Sequence, residues 1–137
     1  MSENEAKVIK NPIGWVEVPV FDLDRAQKFY ETFFGFKMDR QPPRNGYEMS
    51  WFPANMAKYG TSGMLISGPS YVPSEKGAIL YYNSPEKSLK AGVERAKSQK
   101  IEVLVPETPI GAAAEHGYFA ILKDSEGNSF AIHSMEA

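Results

Sequence analysis

The sequence predicts an α+β fold made of two βαβββ modules in one domain. Three observations carry this. A period-two strand runs into an amphipathic helix across 13–34. The same strand–helix order returns from residue 78. A stretch rich in proline, glycine and serine, 68–76, stands between them. The chain of 137 residues suits a single domain, with module 1 at about 11–67, a linker at 68–76 and module 2 at about 77–135.

Residues 1 to about 10 read as a loose polar lead-in. In the first strand Val16, Val18 and Val20 alternate with Trp15, Glu17 and Pro19, giving one valine face and one mixed face. The proline puts this strand at a sheet edge or its own end. Asp22 is an N-cap, and Ala26, Phe29, Tyr30 and Phe33 recur at three- and four-residue spacings along a helix over Leu23–Phe34. Gly35 stops it. Phe29, Tyr30, Phe33, Phe34 and Phe36 are expected in the core. Strands follow at about 36–40, 47–52 and 61–67, then at 78–83. Ser84-Pro85-Glu86 reads as the start of a second helix, with Leu89, Val93 and Ala96 as its inner stripe. Strands at 101–105, 118–123 and 129–134 complete the order. The two halves share architecture but little sequence.

Hydrophobic residues make up 42% of the chain and the net charge is -2, so no basic footprint points to nucleic acid. There are no cysteines, which excludes disulfides, thiolate nucleophiles and cysteine zinc sites. No apolar run approaches the ~18 residues of a membrane span. The expectation is a cytoplasmic protein with no membrane and no nucleic-acid partner. No glycine-rich phosphate loop, His-x-x-x-His pair or Gly-x-Ser-x-Gly elbow occurs.

The run Glu17-Val18-Pro19-Val20-Phe21-Asp22-Leu23-Asp24-Arg25-Ala26, then Phe29-Tyr30 and Phe34-Gly35-Phe36, resembles the opening strand and helix of the vicinal-oxygen-chelate superfamily, which includes glyoxalases, bleomycin-resistance proteins and extradiol dioxygenases. Asp124-Ser125-Glu126-Gly127-Asn128 resembles the turn before that family's last strand. The resemblance spans nearly the whole chain. It implies curved mixed sheets around a small-molecule cleft, helices outside, and a homodimer. Metal-dependent members carry one His or Glu at each of four cleft-facing strand positions. Here those positions fall on Trp15, Met64, Ala78 and Ala131, none of which supplies an oxygen or nitrogen ligand to a cation. No cofactor is therefore expected, and a divalent metal is disfavoured.

Two titratable residues keep chemistry open. Glu17 shares a strand face with Trp15, and His133 lies opposite in parity to Phe130 and Ile132, so both are expected to face the cleft. Together they could act as a general acid–base pair. The competing reading makes Glu17 a partly exposed ion-pair residue and His133 a frayed terminal one. His116 sits in the small-residue loop 110–117, which reads as a mobile segment and a candidate lid, with an exposed loop histidine as the favoured account. Trp15 and Tyr82 are expected on the cleft side, among further aromatic candidates at Trp51, Phe52, Tyr59, Tyr71 and Tyr118. The ligand-binding set is thus Trp15, Met64, Ala78, Tyr82 and Ala131. The leading expectation is a metal-independent small-molecule-binding protein. The alternatives are an isomerase-, lyase- or dioxygenase-like enzyme using Glu17 and His133, a metal-dependent member with unusual ligands, and an accessory subunit.

Overall fold

In the first strand, β1 (Trp15–Pro19), the valine alternation becomes geometry: Val18 is buried, as is Val20 just beyond, whereas Trp15 is exposed. The computed structural model describes residues 11–137 except 56 and 59, so the lead-in and Tyr59 lie outside the described residues. Asp22 caps α1 (Leu23–Phe34), its carboxylate accepting from Arg25 N at 3.0 Å. Gly35 ends the helix at φ 78°, a left-handed conformation that a side chain would strain. Strands β2 (Asp39–Arg40), β3 (Glu48–Trp51) and β4 (Ser62–Ser67) complete the first sheet, ordered β1-β4-β3-β2.

The second half repeats this plan with β5 (Leu80–Asn83), α2 (Leu89–Ser98), β6 (Val103–Pro109), β7 (Tyr118–Lys123) and β8 (Ser129–Ser134), in the order β5-β8-β7-β6. In each sheet the first strand pairs parallel to the last and the others are antiparallel. The fold is the expected α+β arrangement of two four-stranded mixed sheets with two helices. Among the described residues, no helix is long and apolar enough to cross a membrane.

Several boundaries differ from expectation. The second helix starts at Leu89, capped by Ser88, not at Ser84. Ser84 N instead donates to His133 O at 2.8 Å, so strand pairing claims the residue that resembled a cap. β5 begins at Leu80 because its register with β8 opens at Leu80↔Phe130. β2 is only two residues long, since Phe36 stacks on Phe34 at 5.4 Å instead of extending the strand. β6 runs to Pro109, past the expected 105; it is an edge strand, and one of its two register shifts, between Val105 and Thr108, spans Pro106.

One apolar core joins both halves. Tyr30, Phe33 and Phe34 of α1 lie with ring centroids 5.8, 6.1 and 6.2 Å from Phe130 of β8. The helix faces of both sheets supply the rest, including Val18, Leu65, Leu122 and Ile132. Burying each large side chain contributes roughly 1.5–3 kcal/mol.

A polar clasp adds direction to this packing. The Glu126 side chain, wholly buried in the β7–β8 turn, accepts from Phe21 N and Asp22 N, both at 2.9 Å, and from Arg25 Nε at 2.7 Å. Arg25 Nη2 and Ser125 Oγ donate to it as well, each at 2.9 Å. Burial pushes this carboxyl's pKa up, but the Arg25 guanidinium, the two backbone N–H groups and the Ser125 hydroxyl outweigh it and hold the value at about 2. Next to it, buried Asp124 accepts from Tyr30 Oη at 2.7 Å and from the backbone N–H of Glu126 and Asn128. Asn128 Nδ2 donates to Pro19 O at 2.8 Å. The turn of one module therefore grips the strand and helix of the other.

Candidate functional site

β1 and β5 are edge strands of their own sheets. A seam runs between them, and Val16, Leu80 and Tyr82 line two cavities along it. The larger, of about 560 Å³, is walled by Phe34, Phe36, Phe52 and Gly63 and by the end of β5 from Tyr81 to Pro85. The smaller, of about 250 Å³, is bounded by Glu17, Tyr30, Ala78 and the start of β8. Gly63 lets β4 approach β1 here: a Cβ on it would stand 2.3 Å from Val16 O.

Tyr82 lies on the face opposite to the one expected. It pairs in register with Ile132, and Leu80 with Phe130, so both share the helix-side face of the second sheet. Its ring lies 5.1 Å from Phe34 and 5.7 Å from both Phe52 and Phe130. Burial pushes the Tyr82 phenol well up, and a hydrogen bond with Tyr30 opposes it only in part. Tyr81 takes the outer face instead, 5.8 Å from Phe119 and 54% exposed.

Trp15, Glu17 and Met64 share the other face of the first sheet, as their registers Trp15↔Ser62 and Glu17↔Met64 require. Trp15 meets Trp51 edge-on at 5.5 Å, and the two are 40% and 42% exposed. Met64 is buried. Among the described residues Glu17 has no ion-pair partner, and its carboxylate accepts from Tyr71 Oη at 2.8 Å. Ala131 is buried in β8, while Ala78 is exposed ahead of β5. His133 is an ordered strand residue and not a frayed end, with Nε2 2.8 Å from His116 O.

Within one chain, Glu17 and His133 thus stand on separate sheets with separate partners, and neither cavity holds both. The loop read as a mobile lid is closed on itself. Ile110 N donates to Gly117 O, His116 N to Ile110 O, and Glu115 accepts from Ala113 N. The backbone N–H groups of Ala113, then Glu115 and Ala112, hold the Glu115 carboxyl below its ordinary range. His116 itself is exposed.

The four positions expected from the resemblance to correspond to metal ligands, Trp15, Met64, Ala78 and Ala131, present an indole, a thioether and two methyl groups, a donor set that does not fit a divalent cation. Sequence reasoning missed the cavity role of Phe34 and Phe36, which it assigned to the core alone, and the role of Ser84, which resembled a cap. The two seam edges are set by strand order, which no local pattern in 78–85 records.

Comparison with known proteins agrees with this geometry. Residues 13–50 match the family described as Bleomycin resistance protein-like N-terminal. A glyoxylase-like domain-containing protein of Didymella fabae is 31% identical over 129 residues, covering 91% of this chain and 94% of the relative. The antibiotic-binding protein TnmS3 of Streptomyces sp. CB03234 superposes with a TM-score of 0.66 at 21% identity, over 93% of this chain and 98% of its own. The fosfomycin resistance protein FosX of Listeria monocytogenes gives 0.63 at 17% identity, over 92% and 94%. A mutant glyoxalase I of Zea mays gives 0.68 at 18%, over 90% of this chain and 45% of that one.

Proposed function

The chain belongs to the vicinal-oxygen-chelate superfamily, and on that premise we propose that it is a metal-independent small-molecule-binding protein of the glyoxalase and bleomycin-resistance type. The ligand is a flat, largely apolar molecule held in the seam between β1 and β5. One observation carries this reading: a cavity of about 560 Å³ walled by Phe34, Phe36, Phe52 and Tyr82. That volume falls within the roughly 300–1,000 Å³ of small-molecule sites, which are apolar with a few placed polar groups. Thr61, Ser62 and Asn83 on the cavity wall supply groups of that kind. Aromatic walls offer edge and face contacts to a planar ligand. The antibiotic-binding activity of TnmS3 agrees in kind.

The same reading takes the protein to be a homodimer. Support comes from Trp15, Trp51 and Tyr81, large apolar side chains left exposed on the outer sheet faces, and from the prevalence of symmetric dimers.

The test is a thermal-shift screen of aromatic drugs and metabolites, run with chelator and again with Ni, Zn, Mn or Fe(II). Hits are expected in chelator. At a hundredfold excess over Kd a ligand stabilises the fold by about 2.7 kcal/mol. Phe52→Ala is expected to weaken such hits at least tenfold. Hits that require metal, or that bind Phe52→Ala as well as wild type, would overturn the proposal.

A further inference from the structure

The sheets end in four edge strands, β1, β2, β5 and β6, and three of the four are blunted. β2 is two residues long, and β6 carries Pro106 and Pro109. β1 ends in Pro19, whose carbonyl accepts from Asn128 Nδ2 at 2.8 Å. Short strands and prolines keep a free edge from pairing with another chain. β5, Leu80-Tyr81-Tyr82-Asn83, has neither a proline nor a charged residue. All four of its residues line the larger seam cavity.

The ladder fixes which backbone groups lie on that free edge. Along a parallel pair, successive residues turn their N–H and C=O alternately towards the partner strand and away from it. Ser84 N donates to His133 O at 2.8 Å, so Ser84 and Tyr82 face β8. Tyr81 and Asn83 therefore turn their N–H and C=O towards the seam. β1 obeys the same rule. Val20 N donates to Ile66 O at 2.9 Å, and Pro19, one residue earlier, offers its carbonyl across the seam to Asn128. Among the described residues no ladder joins β1 to β5, and nearly all Cα pairs between them are more than 8 Å apart. Paired strands lie about 4.8 Å apart. β1 thus stands off, and the space beside the β5 edge is the open cavity itself.

We infer that the free edge of β5 binds an extended peptide segment as an added strand, with the N–H and C=O groups of Tyr81 and Asn83 as its ladder. Main-chain bonds of this kind supply affinity, and the faces on which alternate side chains fall supply specificity. The peptide residue opposite Tyr82 shares its face and meets the wall of Phe34, Phe36 and Phe52. Its two neighbours point the other way, to the face where Tyr81 is exposed. An aromatic residue at the inward position is the flat apolar group of the seam-cavity reading. The inference rests on that reading and adds the amide backbone that carries the ring.

Two probes test it by calorimetry and by amide hydrogen exchange: the tripeptide acetyl-Val-Phe-Val-amide and the same peptide N-methylated at all three residues. The first is expected to bind at least tenfold more tightly, because methylation removes the ladder donors and keeps the ring. At saturation it is expected to slow exchange of the Tyr81 and Asn83 amides at least tenfold. The Tyr82 and Ser84 amides, already facing β8, should slow less than threefold. Asn83→Pro removes one seam-facing N–H at a position an edge strand tolerates, and should weaken the peptide at least fivefold. Should that variant fail to fold, the methylated pair still decides. Equal affinity of the two peptides, or binding without slowed exchange at Tyr81 and Asn83, would overturn the inference. So would amides at Tyr81 and Asn83 that are slow without peptide and quicken on dilution, which would give the edge to a second copy of the chain. None of these results touches the cavity reading, which stands or falls on Phe52→Ala and the aromatic compounds. No binding of either peptide, beside aromatic compounds that do bind, would likewise overturn this inference alone.

Discussion

Glu126 and Glu86 resemble each other in outline and differ in every consequence. Each stands in a turn, and each meets an arginine Nε, at 2.7 and 2.5 Å. The two oxygens of Glu126 then collect further donors from two backbone amides, a second guanidinium nitrogen and a serine. Among the described residues Glu86 collects none besides Arg95, and its second oxygen is buried without a partner. The first carboxylate is saturated because its task is to hold two modules together. The second is half used: one oxygen meets Arg95 and the other is buried without a partner among the described residues. Counting the partners of a carboxylate thus separates a clasp between modules from a single ion pair better than counting ion pairs alone.

Breaking the saturated side of this comparison should have the largest effect. Glu126→Gln is expected to destabilise the fold by about 2–3 kcal/mol in urea unfolding. That is below the ~3–5 kcal/mol for breaking a fully buried pair, because Arg25 is 53% exposed. The same variant sharpens the pH argument. A carboxyl held at about 2 in the fold, against roughly 4.3 unfolded, stabilises the protein above pH ~4.3 and loses that contribution as pH falls towards 2. The stability gap between wild type and Glu126→Gln should therefore narrow from pH 5 to pH 2; a constant gap would argue against the clasp. Tyr30→Phe, which takes one of several donors from Asp124, should cost about 1–2 kcal/mol in the same assay. Glu86→Gln should change stability least, by under about 1 kcal/mol, since its pair with Arg95 is partly exposed. A larger loss would move Glu86 into the structural class.

Much of this fold can be read from sequence because the pattern is local. Val16, Val18 and Val20 declare a buried face, Asp22 and Gly35 bracket a helix, and Leu89, Val93 and Ala96 give the inner stripe of the next. The site is less legible because it depends on pairing. Leu80-Tyr81-Tyr82-Asn83 has no polar–apolar alternation from which to choose a face, and only the register with Phe130 and Ile132 turns Tyr82 inward. Ser84 carries a cap signature that strand pairing overrides. The side chains of Glu17 and His133 do face away from the helices, but parity within a strand says nothing of which residues on another sheet stand nearby.

The clasp also bears on how the chain reaches this state. Its bonds between the modules join residues 94 to 109 positions apart, whereas each βαβββ half can form from nearer contacts. Closing so long a loop costs chain entropy before any bond repays it. The halves are then expected to gain structure first and the turn at 124–128 to seat late. Until it does, Phe33 and Phe130 stand without each other as cover, and that interval is when a newly made chain is most exposed to sticking to its neighbours.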